Sequence, residues 1–164
     1  MKYLTSLILI SLSGCYSFKG ISISPEINTF YVSAFQNVAA NAPAGIEIQF
    51  TDGLIQRINN NSKLNYSDTD PDIEFDGSIS SFRVSAVAPQ QSGEQATTAF
   101  NRLTISAKIN HINNINEDEN WSQTFSFFED FDSNTDLSGI QDDLIERIFE
   151  QMINDIFNKA FTNW

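Results

Sequence analysis

The chain has 164 residues, with 9 Lys+Arg against 21 Asp+Glu, and a single cysteine. A formal charge of −12 repels the phosphates of nucleic acid and of anionic lipids, which argues against a nucleic-acid-binding role or a basic membrane-surface patch. Its 41% hydrophobic content, including 14 Phe, suffices for a core and excludes disorder throughout; a lone cysteine cannot form an internal disulfide.

Lys2 precedes an apolar run over residues 4–12, too short to span a bilayer and placed where a signal peptide has its hydrophobic region. Leu12-Ser13-Gly14-Cys15 then has the form of a lipobox. This predicts a cleaved signal peptide over residues 1–14, cut between Gly14 and Cys15, with diacylglyceryl and N-acyl groups on Cys15 and no other cofactor. Tyr16 follows the cysteine in place of an aspartate retention signal, so the expectation is a lipid anchor in the outer membrane, on the periplasmic side. Losing Lys2 leaves 8 basic against 21 acidic residues, a mature charge of −13.

Residues 15–26 read as a lipidated tether and residues 27–164 as one domain. Residues 27–35 have strand composition. From Ile46 the apolar residues Ile46, Phe50, Leu54 and Ile58 repeat every four, with Ile48 and Ile55 widening the stripe, and Asn59-Asn60-Asn61 closes this helix. Residues 64–66 fit a short extended segment. Ile73, Phe75, Gly77 and Ile79 alternate as one strand face, after which the apolar positions move to Phe82, Val84 and Ala86. That change of parity predicts a bulge near Ser80-Ser81 or a bend. A polar loop covers residues 89–98. Leu103, Ile105, Ala107 and Ile109 alternate with polar residues as a half-buried strand, and Trp121, Phe125, Phe127 and Phe131 mark its hairpin partner. Ser138 and Gln141 fit a capping box for a last helix with a broad stripe from Ile140 to Ala160. The predicted fold is an α+β two-layer sandwich of order β-α-β-β-β-α. It has a mostly antiparallel sheet of four strands, with room for a fifth, and two helices on one face.

Catalytic chemistry lacks parts. His111 is the only histidine and has the parity of the apolar strand face, so it reads as a strand-end residue at the core edge. Asp130, Asp132, Asn134 and Asp136 alternate as in a calcium loop, but Thr135 and Gln141 stand where such a loop needs glycine and glutamate. Asp68, Asp70 and Asp72 alternate around Pro71. Both sets read as solvated turns, with no metal and no catalytic residue. Phe161 and Trp164 lie past the expected end of the last helix, where exposed aromatics would form a partner surface.

Gly14-Cys15-Tyr16-Ser17-Phe18, Phe100-Asn101-Arg102-Leu103-Thr104-Ile105 and Phe157-Asn158-Lys159-Ala160-Phe161-Thr162-Asn163-Trp164 together resemble the LptE family of lipopolysaccharide-assembly lipoproteins, in its Bacteroidetes-type form. The resemblance implies a non-enzymatic outer-membrane lipoprotein that plugs and partners an LptD-like β-barrel and helps deliver lipopolysaccharide. Better-known members are thought to touch lipopolysaccharide through basic residues, whereas this chain is acidic. The basic residues placed on strands, Arg83, Arg102 and Lys108, are with Phe161 and Trp164 the candidate contacts to barrel or lipopolysaccharide. The alternative is a periplasmic auxiliary lipoprotein of a lipid-transport ABC system, a lipid- or solute-binding module. A deep apolar pocket between sheet and helices would favour the latter; a filled core would favour the plug.

Overall fold

A computed structural model of the protein describes residues 23–87 and 99–162. Gly14, Cys15, Trp164 and the whole of the predicted 89–98 loop lie outside the described residues. The elements are β1 (Thr29–Val32), β2 (Gln36–Asn37), α1 (Ile46–Asn61), β3 (Asn65–Tyr66), β4 (Ile73–Val87), β5 (Phe100–Asn113), β6 (Trp121–Asp132) and α2 (Gln141–Phe161). Short 3₁₀ turns at Glu117–Glu119 and Leu137–Gly139 precede β6 and α2.

The sheet has six strands in the order β3-β1-β4-β5-β6, with β2 also on β4. The expected antiparallel sheet of four or five strands is therefore corrected to a mixed one. β4, β5 and β6 are antiparallel, but β1 pairs in parallel with β3 and β4, and β2 in parallel with β4. The cause is the crossover through α1, which returns the chain to the same end of the sheet and makes the next strands run with β1. The strand expected over residues 27–35 is broken into β1 and β2. Between them Phe35 turns into the core, its amide donating to Thr51 Oγ1 on α1 at 3.1 Å.

The predicted parity change is a β-bulge: the β4–β5 register shifts between Ile79 and Ser81. Ser80 takes up the extra place, its hydroxyl donating to the Ser106 carbonyl at 3.2 Å. The bulge keeps Ile73, Phe75, Ile79 and then Phe82 on the helix side of one strand. Across the layers, Phe35 meets Phe50 at 4.9 Å between ring centroids and Phe75 meets Phe161 at 6.1 Å, while Phe50 meets Phe149 at 5.0 Å between the two helices.

α1 buries Ile46, Phe50, Leu54 and Ile58, the stripe read from the sequence. Ile48 is not part of it and is 61% exposed, because it sits about 200° round the helix from Ile46. α2 begins one residue after Ile140, which makes no side-chain cap. The expected Ser138 capping box is replaced by Asp136, which accepts from the Ser138 amide and hydroxyl at 3.2 and 2.7 Å and caps the 3₁₀ turn before the helix. α2 runs on through Phe161, whose side chain is buried 5.1 Å from the Phe157 ring. Exposure of Phe161 is thus corrected: at i+4 from Phe157 it continues the core stripe.

At Gly77 the strands approach so closely that a Cβ would lie 2.0 Å from the Lys108 carbonyl oxygen and 2.8 Å from the Phe35 ring. Backbone cannot rotate away as a side-chain end can. Gly77→Ala is expected to cost about 1–3 kcal/mol or more in urea unfolding. Gly139→Ala, where no atom lies within 4 Å, should stay within about 0.5 kcal/mol of the parent.

His111 is buried against Phe75 at 5.1 Å and stacks on Trp121 at 5.2 Å with an interplanar angle of 5°. Neither ring nitrogen has a partner among the described residues. Burial disfavours the charged form and pushes its pKa down to about 4. The unfolded chain therefore takes up the proton first, and stability present above about pH 6.5 is lost as the pH falls towards 4. Relative to His111→Phe, the parent should lose about 3 kcal/mol across that window in urea unfolding at stepped pH; equal losses would mean that His111 does not titrate there.

Candidate interaction surface

Successive residues of β5 face opposite ways, so Leu103, Ile105, Ala107 and Ile109 are buried under the helices while Arg102, Thr104, Ser106 and Lys108 line the other face. Register sets their neighbours. Arg83, Thr104 and Phe128 form one row across β4, β5 and β6; Ser85, Arg102 and Asp130 the next; Ser78, Lys108 and Thr124 another.

Arg102 is held from two sides. Its guanidinium donates to both Asp130 carboxylate oxygens at 2.7 and 2.8 Å and lies 3.6 Å from the centroid of the Phe128 ring. The hydrogen bond from Arg102 holds the Asp130 carboxyl below its ordinary pKa, and the same bond raises that of Arg102. The pair cancels its own charge, so the unneutralised cations of this face are Arg83 and Lys108. Both are exposed, and neither forms an ion pair with a described residue. Glu74 and Asp76 occupy the β4-start end of the same face, where Asp76 accepts from Asn110 Nδ2 at 2.6 Å.

Beyond β2 the far end of β4, with Phe100 opposite its last residue, overhangs the helix layer at the edge of the sheet, while Leu103, opposite Val84, stays buried. Four consecutive β4 residues, Arg83 to Ala86, are exposed, which alternation permits only where neither sheet face is covered. Val84, Phe100 and Phe128, three of the exposed large apolar side chains, gather at this end with Arg83 and Arg102. Phe128 was legible in the sequence: in Phe127-Phe128, adjacent strand residues must face opposite ways, so one ring points away from the core. Val84 has core parity and is exposed although Leu103 opposite it is buried, because β4 is the outer strand beyond β2, which no local pattern records.

The other candidates fall to structural roles. Asp72 accepts from the Asn28 and Thr29 amides at 2.7 and 3.0 Å, which hold its carboxyl below the ordinary range, while its own amide donates to Thr29 Oγ1 at 3.0 Å. These bonds tie the starts of β1 and β4 together. Asp132 accepts from the Asn134 amide at 2.8 Å, and Asp136 caps its turn. Among the described residues no three His, Cys, Asp or Glu side chains converge on a metal position. Phe161 is core, and His111 is a buried ring beside Trp121, with Lys159 Nζ 5.2 Å from the Trp121 centroid.

The space between sheet and helices is filled, with Phe30, Phe50, Phe75 and Phe161 among its fully buried side chains. A concavity of about 620 Å³ is instead a groove between α1 and α2. Exposed polar residues such as Gln49, Asp52, Gln56, Glu146 and Glu150 line it.

The family model described as LptE, lipopolysaccharide-assembly, matches residues 27–160. No curated protein matches the chain. Among solved structures, a homolog of a neuraminyllactose-binding hemagglutinin from Helicobacter pylori superposes with a TM-score of 0.55 at 12% identity, over 88% of each chain. Protein CT253 from Chlamydia trachomatis does so with a TM-score of 0.53 at 7% identity, over 82% of this chain and 98% of its own. At such identities both likenesses show a shared fold alone. The family match spans every helix and strand except the last residue of α2, and on it the chain belongs to the LptE family of non-enzymatic lipopolysaccharide-assembly proteins.

Proposed function

We propose that the protein is a lipoprotein of the outer membrane, cleaved before Cys15 and anchored by acyl groups there. In this reading it partners and plugs an LptD-like β-barrel, so that the barrel can insert lipopolysaccharide into the outer leaflet. Family membership supports the assembly role. The observation that carries the barrel contact is the overhanging end of β4, with Val84, Phe100 and Phe128 exposed beside Arg83. On a chain of charge −12, an apolar end with local cations is where a barrel wall or an anionic glycolipid is met with least repulsion.

The described chain starts at Ile23, beside the start of β1, which runs parallel to β4. β4 carries the sheet about 50 Å from there to its overhang. The tether holds one end at the leaflet, which raises the local concentration of the protein near a barrel in the same membrane, and leaves the other end free to enter the lumen. A filled core supports a plug over the lipid- or solute-binding module of an ABC system, which needs a pocket between its layers.

Arg83→Glu with Lys108→Glu should leave the circular dichroism spectrum unchanged and reduce copurification of the barrel at least about tenfold, a loss of about 1.4 kcal/mol of binding. Unchanged copurification of a folded, lipidated double variant would remove this face as the contact. Cys15→Ala should shift the protein out of the outer-membrane fraction as an uncleaved or soluble species. Depletion of the parent protein should lower surface lipopolysaccharide and raise sensitivity to large antibiotics. Normal surface lipopolysaccharide after full depletion would turn the assignment to the ABC auxiliary.

A further inference from the structure

β6 ends the sheet, pairing only with β5 among the described residues. Its 12 residues, WSQTFSFFEDFD, keep register with β5 without a shift. Protein edges are ordinarily blunted by brevity, by lysine or proline, or by a bulge. β3, at the other end of the sheet, is two residues long, and the part of β4 beyond β2 carries the Ser80 bulge and Arg83. β6 has none of these devices and is blunted only by the carboxylates of Glu129, Asp130 and Asp132 at one end.

Its free backbone groups can be assigned. The Ser133 amide donates to the Ala99 carbonyl at 3.0 Å, so the alternation of a strand turns the odd-numbered residues of β6 towards β5. The N–H and C=O groups of Ser122, Thr124, Ser126, Phe128 and Asp130 then face outward. Beside them runs an open groove of about 590 Å³, lined by residues 126–130 and Gln151.

We propose that this edge pairs with β6 of a second copy of the chain, antiparallel, with Ser126 opposite Ser126. An antiparallel two-fold joins like faces only when opposed residues have the same parity. In this register Phe125 meets Phe127 and Trp121 meets Phe131 on the helix side, each twice, as cross-strand aromatic pairs. The carboxylates gather at one end of the strand, at Glu129, Asp130 and Asp132. Antiparallel pairing places Glu129 opposite Gln123, Asp130 opposite Ser122 and Asp132 opposite Asn120, so no carboxylate faces another. A shift of two residues either way breaks the Phe125–Phe127 pairs. A parallel arrangement would set each acid beside its own copy. The second chain is thus the occupant whose charges and rings fit the strand, and the pairing does not depend on the barrel.

The test uses the mature chain, residues 15–164, with Cys15→Ala so that neither lipid nor a second thiol intervenes. Sedimentation equilibrium should show a monomer–dimer equilibrium. Thr124→Pro removes an outward amide and should weaken association at least about tenfold with an unchanged circular dichroism spectrum. Ser126→Cys places two thiols about 5.5 Å apart by Cα, within disulfide reach, and should give a linked dimer on mild oxidation. Thr124→Cys, offset by four residues or about 13 Å, should not. The proposal is overturned if the parent is monomeric at about 100 μM, or if Ser126→Cys links no more than Thr124→Cys does. It is equally overturned if Ser126→Cys in cells joins a different protein instead of a second copy.

Discussion

Every other part of the structure depends on how β4 changes faces. β4 is bonded to β1 and β2 on one side and to β5 on the other, so a strand that presented apolar side chains to the wrong layer would misplace all three neighbours. One extra residue at Ser80 resolves this, letting Phe75 and Ile79 below and Phe82 above point into the same core. Gly77, just before the bulge, gives the room, because Phe35 and the Lys108 carbonyl occupy the space a side chain would need. The pinch and the bulge together let a single 15-residue strand serve the body of the protein and then leave it as an overhang.

Much of this was legible in residue order. The four-residue repeat from Ile46 to Ile58, the parity change at Ser80, the alternation from Leu103 to Ile109 and the stripe of α2 are periodic over several turns or strand pairs, and the structure follows them. What escaped was short or non-local. β1 and β3 fall within the segments expected at 27–35 and 64–66, but the break that separates β1 from the two-residue β2 leaves no period to read, and the parallel pairing is fixed by where α1 returns the chain. Phe161 was misplaced because its helix runs one residue past the stripe read to Ala160, and Ser138 because Asp136 accepts from its amide and hydroxyl.

The candidate surface was legible in its residue types and less so in their roles. The sequence set Arg83, Arg102 and Lys108 on strands. The register shows that Arg102 is committed to Asp130 and Phe128, while the other two form no ion pair among the described residues. Exposure of Val84 arises from the place of β4 at the edge of the sheet beyond β2, a property of the assembled layers. The acidic surface elsewhere acts as a filter: it disfavours chance contact with anionic membranes and nucleic acid and leaves the overhang as a place of low repulsion.

The burial of His111 bears on the charge of the whole molecule. Histidine is the only side chain whose ordinary titration falls between pH 5 and 8, the chain has one, and that one stays neutral until about pH 4. Because the ring is shut away with Phe75 and Trp121, no histidine near the surface gains or loses a proton as the surroundings acidify mildly. A compartment open to the outside medium exposes its proteins to such swings. The field around this protein, and with it any attraction or repulsion it exerts on its surroundings, has no histidine through which such swings could act.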